Sequence, residues 1–460
     1  MSPISRPPIS VSPGPLSPSV AFRCVVPLLW ALAAWNSLAC RGLFWDGAAF
    51  LVNIVDSGRF HDFYPARAHI AWATQWPVLL AVKLGVVDTR LLAMIQSAAL
   101  FALPTALYQL ALARARADAV LFAAVLAVVA VVYLPTSFFI IGEYNATYAA
   151  VTAAMAVVLT TGGSRRDAAI LCALGVLCLR SYEAMAYLGP LLAAAVLWAT
   201  RRRADDIVRL LGRVGALAFA GGALVSGITM AEYWYHPHFV AVRAAVPDFW
   251  QNLQFMIPLV GFAIVAALGL VWPRWLRSGA PALAIGILAV LLVAVPWVRP
   301  FRPEAFLFPP SHYVARTAAG CVLWAILAAM WIHAGWRRRP PAVLACLREP
   351  AVGRRLATAM AVLVVAAMVP DLVLTRMWTD YLGYFRGVVT GGTGVIQARD
   401  LPLQVWPQRL FAQPWTYPAL SVILHDAPGQ AIVQDRNYGE DQPFDPACGT
   451  VPRLTGFRWR

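Results

Sequence analysis

Long apolar runs alternate with short polar connections along most of the chain. The runs fall at residues 21–40, 91–112, 119–141, 145–161, 168–180, 184–199, 211–231, 254–272, 280–298, 316–335 and 356–376. Crossing the hydrocarbon core of a bilayer takes about 20 apolar residues in a helix, so the pattern predicts an all-α polytopic membrane protein with eleven spans. The pair 168–180 and 184–199 is short, which calls for a thinned bilayer, a tight hairpin at Arg180–Glu183 or a re-entrant path. The first run is longer than a signal-peptide core, and Ser37-Leu38-Ala39-Cys40 is a poor lipobox, so it reads as a retained anchor. Residues 1–20 are Pro/Ser-rich and predict a disordered leader.

Two stretches depart from this rhythm. Residues 41–90 are too polar to span yet carry apolar residues at helical spacing. In AAFLVNIVDS, Phe50/Ile54 and Leu51/Val55 form one stripe. Residues 69–88 are long enough to cross, but Gln75, Pro77 and Lys83 interrupt them, and a crossing there would invert the charge pattern of every later loop. Both segments therefore predict helices lying on the membrane surface. Residues 377–460 form the second departure, with an amphipathic start (TDYLGYFRGVV), a glycine turn (TGGTG) and one strand-like run (GQAIVQD). They predict a small C-terminal α/β segment resting on the outer face of a 21–376 transmembrane domain.

Composition supports the membrane reading. Of 460 residues, 60% are hydrophobic and 13% charged, against about 25% charged in soluble domains. Mean hydropathy is +0.66. The net charge of +15 is not a nucleic-acid signal, because the arginines sit in short clusters between apolar runs. Those clusters (Arg114/Arg116, Arg165/Arg166, Arg201–Arg203, Arg274/Arg277, Arg337–Arg339) occupy alternate connections, which places the N-terminus inside and the C-terminus outside. The seven cysteines show no CxxC, zinc or haem spacing. A divalent cation stays open, with no ligand cluster evident.

The outward connections hold the residues that could do chemistry. Asp46 heads the first surface helix, where it can serve as an N-cap or as a general base with one side open to an acceptor hydroxyl. Glu143 sits at the tip between the third and fourth spans with no adjacent partner, which favours a polar cavity over simple solvation no more than evenly. Arg180 and Glu183 lie three residues apart and read first as a local ion pair, then as substrate-facing groups. Arg299, Arg302, His312 and Arg316 stand outward against the charge trend, which suits either a phosphate or lipid head groups. His236 and His238 flank a proline and read as ordinary loop histidines. Asp371 is expected at the membrane interface. TGGTG lacks the Lys-Ser/Thr of a phosphate loop.

The order of parts after the first span is Trp45-Asp46, a short amphipathic helix at Ala48–Ser57, a polar turn at Gly58–Tyr64, a second helix with Trp and Pro at Ala68–Leu84, and Gly85–Leu91 leading into the next span. This resembles the GT-C class of polytopic glycosyltransferases, in particular the aminoarabinose and protein-mannosyl transferase branch. The likeness covers roughly the first 150 residues and the general topology. The resemblance implies a polyprenyl-phosphate sugar donor and a catalytic Asp in the first outer loop, here Asp46, with Glu143 as a second acid. It also implies a bacterial inner-membrane protein with a periplasmic active site, and an envelope glycan, lipid or protein as acceptor. Arg67, Arg302 and Arg316 are the candidates to hold the departing phosphate. Pro65-Ala66-Arg67 departs from the Lys-Pro-Pro of some members. A transporter or flippase for a lipid-linked or anionic solute, and a non-catalytic membrane assembly factor, are the alternatives.

Overall fold

The computed structural model describes residues 16–61, 65–137, 142–201, 203–236, 240, 243–244, 246, 253–294, 312–336, 340–405, 407–435, 454 and 456–460. Among these, five helices are long and apolar enough to cross a membrane: α1 (Pro18–Leu38), α4 (Thr89–Ala115), α9 (Asp206–Glu232), α12 (His312–Gly335) and α14 (Pro350–Gly391). Shorter apolar helices pack among them. These are α5 (Ala119–Ala127), which runs on as a π-helical segment over Val128–Tyr133, α6 (Glu143–Thr160), α7 (Arg165–Leu179), α8 (Met185–Thr200), α10 (Leu253–Val271) and α11 (Ala280–Ala294). The chain is an all-α membrane protein, with almost no sheet among the described residues.

Helix starts follow the polar residues just outside the apolar runs. The side chains of Ser17, Asp88, Asp118, Ser164 and Asp205 accept hydrogen bonds from first-turn amides of α1, α4, α5, α7 and α9. Each satisfies donors that the helix itself cannot. The short pair α7 and α8 forms a hairpin through residues 180–184, and α9 packs closely along both. Small residues permit that approach. A Cβ added at Gly175 would sit 2.6 Å from the carbonyl oxygen of Gly215.

Two layers result. The larger core joins the middles of the long helices around α5 and α6, whose residues are buried nearly throughout. The second core lies where α1 ends and α4 begins. It combines the first loop, the C-terminal half of α14 from Leu374 to Val389, and the region that follows it. In the first loop, α2 (Gly47–Ser57) and α3 (Ala68–Lys83) are the two short helices expected there. At 16 residues and about 1.5 Å per residue, α3 falls short of a bilayer core of about 30 Å.

Helix α14 runs unbroken past residue 376, where the sequence predicts the end of the last span. Beyond it a parallel pair of strands, β1 (Val395–Gln397) and β2 (Ile432–Gln434), frames α15 (Tyr417–Leu424); α13 (Ala342–Leu347) precedes α14. Residues 458–460 close the layer. The Arg458 amide donates to the Val87 carbonyl at 3.0 Å, the Thr89 amide donates to the Arg458 carbonyl at 2.9 Å, and the Trp459 amide donates to the His425 carbonyl at 3.0 Å.

Asp371, expected at the membrane interface, is fully buried within the protein. Arg41 and Asp371 form an ion pair at 3.6 Å with both side chains fully buried. Asn36 donates to Asp371 at 2.9 Å, Thr375 donates to Asn36 at 2.8 Å, Ser137 reaches Asp371 at 3.4 Å, and Arg41 donates to Thr375. Burying an isolated carboxylate costs several kcal/mol (order of magnitude), so a carboxylate on an interior helix face survives only with such partners. The network ties the last turn of α1 and the turn after it to the middle of α14.

Candidate functional site

The site begins with a backbone constraint. Trp45 adopts φ +59°, a left-handed conformation that costs a bulky residue roughly 1–2 kcal/mol. It persists because the flanking structure overdetermines it: Trp45 is buried against Phe44 and Trp415. A Cβ at Gly47 would stand 1.7 Å from the Gly42 carbonyl oxygen, so the 42–47 turn closes only with glycine there. Gln96 of α4 fastens this turn, its amide donating to the carbonyls of Gly42 at 3.0 Å and Gly47 at 2.9 Å. Gly47→Ala should destabilise the protein by about 1–3 kcal/mol, in the range of overpacked cores. Thermal unfolding of the detergent-solubilised variant measures this, and an unchanged midpoint would show that the turn is looser than drawn.

This turn delivers Asp46. The residue stands at the N-cap position of α2, yet its side chain caps nothing. Instead Oδ1 accepts a 3.0 Å hydrogen bond from the indole N–H of Trp415, 369 positions away. The capping reading of Asp46 therefore does not describe its side chain. Burial pushes the carboxyl above the usual carboxylate range. Trp415 pulls it back, Glu143 adds to the rise, and Arg316 and Arg67 oppose it. Four elements distant in sequence thus place charge or a donor around one carboxylate.

Arg67, in the turn before α3, is the hub of the neighbouring cluster. Its Nη2 and Nε lie 2.8 and 2.9 Å from Glu183 Oε1, and its Nη1 lies 3.8 Å from Glu143 Oε2. Burial works against its charge, but Glu183 and then Glu143 outweigh it and hold the guanidinium's pKa above its ordinary value. Glu183, expected to pair locally with Arg180, reaches across 116 positions to Arg67. Arg180 stacks over Trp72 at 5.9 Å, and its carbonyl accepts the His69 amide at 2.8 Å, which pins α3 to the α7–α8 hairpin.

Three tyrosines form the floor. Tyr144, Tyr148 and Tyr182 are buried with ring centroids 5.8–6.1 Å apart. Arg67 lies over Tyr182 at 5.3 Å and Arg316 over Tyr144 at 5.6 Å. A guanidinium over an aromatic face keeps its charge while shedding water. Tyr148 also donates to the Arg316 carbonyl at 2.8 Å, fixing the start of α12. A small cavity lies at Glu143, lined also by Phe50 and Ile54 of α2, Thr74 and Gln75 of α3, and Gln96; Asp46, Arg67 and Arg316 do not line it. Gln75 holds its mouth in shape by bonding both backbone groups of His61.

Of the residues singled out in the sequence, the fold gathers Asp46, Glu143, Arg67, Glu183 and Arg316, with Arg180 at the edge. Arg302 lies outside the described residues, as does the side chain of His312 at the start of α12. His236 is exposed, and His238 is also outside the described residues. Trp415 and the three tyrosines were missed. Tyr144 and Tyr148, four apart beside Glu143, carried a helical-face signal; Trp415 carried none. Among the described residues no group of three or more His, Cys, Asp or Glu is placed to hold a metal ion. The arrangement sets two guanidiniums on aromatic faces, one of them paired with two carboxylates, within electrostatic range of the Asp46 carboxylate. Comparison with protein-family models, curated proteins and solved structures finds no match to this chain.

Proposed function

We propose that this chain is a membrane glycosyltransferase of the GT-C type, moving a sugar from a polyprenyl-phosphate donor to an envelope acceptor at the outer face of a bacterial inner membrane. On this reading the chain crosses eleven times, with the N-terminus cytoplasmic and the C-terminus periplasmic. Asp46 takes the proton from the acceptor hydroxyl as its oxygen attacks the anomeric carbon. The anomeric C–O bond to phosphate breaks with inversion, and the phosphate leaves as an anion. Arg316 and Arg67 face that developing charge from fixed positions, where a water-poor setting strengthens the interaction. Glu143 and Glu183 hold Arg67 in place.

The observation that carries the reading is the Asp46 carboxylate. It is held by Trp415 rather than spent on its helix, and it is set by a left-handed residue within electrostatic range of Glu143, Arg316 and Arg67. Backbone strain of this kind concentrates at functional sites. The rival transporter reading calls for charges near the middle of the membrane; the buried pair Arg41–Asp371 is instead bonded to Asn36 in the last turn of α1. Mass analysis of polyprenyl phosphates and envelope glycans in cells lacking this protein tests the proposal. A sugar-loaded polyprenyl phosphate should accumulate while one glycan modification disappears. Unchanged profiles for both would refute it.

A further inference from the structure

Trp415 lies in the C-terminal region, outside every helix that frames the cavity, yet its indole N–H is the hydrogen bond that reaches Asp46. Its ring meets Trp45 edge-on at 5.4 Å, and Trp45 is the residue held at positive φ. The two contacts act on adjacent residues of one turn. Trp45 in turn touches Phe44, which packs against Trp378 of α14 and Phe411 of the C-terminal region. Among the described residues no hydrogen bond reaches the second oxygen of Asp46. We infer that Trp415 is a positioning residue for Asp46, and that the C-terminal region thereby completes the site: the indole fixes Oδ1 as an acceptor and leaves Oδ2 to take the proton. This inference rests on the reading of Asp46 as the base.

The physical consequence is specific. A donor to the ionised carboxylate favours the charged form, so the indole keeps Asp46 available as a base despite its burial. The other charged groups around it are Glu143 on α6, Arg316 on α12 and Arg67 before α3, and a change at position 415 leaves all three in place. An aliphatic residue at 415 would lose the aromatic packing as well; phenylalanine keeps a ring at this position and removes the donor together with part of the indole's volume.

The test uses the purified full chain in detergent and follows the carboxyl infrared band of Asp46, identified as the band missing from Asp46→Asn. In Trp415→Phe the midpoint of its titration should rise by about one to two pH units, the size of one lost hydrogen bond to a charged group. In the transfer assay kcat at neutral pH should fall, with its acid limb displaced upward by the same amount and the donor KM unchanged. Replacing Trp415 with benzothienylalanine, which keeps the indole's shape without its N–H, should give the same shift and guards against misfolding of the phenylalanine variant. A midpoint that stays in place or falls in either variant overturns the positioning role. The infrared result does not depend on turnover. If Asp46→Asn still transfers sugar, the enzymatic reading fails by itself, while the infrared midpoint still decides whether Trp415 governs this carboxylate.

Discussion

Asp46→Asn is expected to reduce sugar transfer by about 10²–10⁴-fold, the contribution typical of a positioned general base, without loss of folded protein. The amide oxygen of asparagine can still accept the Trp415 N–H, so the 42–47 turn keeps its clasp. The direction of the stability effect is also fixed. Burial raises the folded-state pKa of Asp46 above its unfolded value, so across the window between the two the folded state binds more protons. Stability therefore falls as pH rises through that window. A neutral asparagine never carries the half-buried charge, and the variant should melt no lower than the natural protein at neutral pH. Activity of the natural protein should decline as pH drops through the raised pKa, because the base is then protonated. Initial rates and melting curves across pH check both. An inactive variant that melts well below the natural protein would mean that Asp46 is structural.

Arg41→Ala or Asp371→Ala should each cost about 3–5 kcal/mol, because either leaves a fully buried charge without its opposite. The double change Arg41→Met with Asp371→Leu should recover most of that loss, as apolar side chains of similar size often replace buried ion pairs at little cost. Thermal unfolding in detergent or nanodiscs reads the series. Single variants melting within a degree or so of the natural protein would show that the pair is solvated. Transfer should fall with stability in the single variants, because Arg41 starts the turn that leads to Trp45 and Asp46.

Much of the frame was legible because it depends on local pattern. Apolar stripes such as Phe50/Ile54 located α2, and the run interrupted by Gln75, Pro77 and Lys83, long enough to cross as a sequence, folds as the shorter 16-residue α3. The strand-like GQAIVQD became β2. Helix starts were less legible, since α9 begins at Asp206 on the cap of Asp205 rather than at the apolar run from 211. The site was half legible. Asp46, Glu143, Arg67, Glu183 and Arg316 stood out because charge beside apolar runs is expensive and needs a reason. Their partners did not, because Trp415 meets Asp46 over 369 positions and Asn36 meets Asp371 over 335, and no periodicity reports a contact of that range. The positive φ of Trp45 was invisible for another reason: glycine and asparagine announce that conformation, and tryptophan does not.

The backbone bonds of residues 458–460 to Val87, Thr89 and Asp88 impose an order on biogenesis. At ribosomal speeds of about 5–20 residues per second, the lip of the first loop waits on the order of tens of seconds for the peptide that seals it. During that interval α2, α3 and the start of α4 lack the part of their shared core that the C-terminal region supplies. A nascent chain would thus lack this closure until its far segment has bonded to Val87 and Thr89. Stop codons anywhere after residue 435 should accordingly yield membrane-integrated protein whose first loop is open to protease, a defect invisible to any assay of insertion alone.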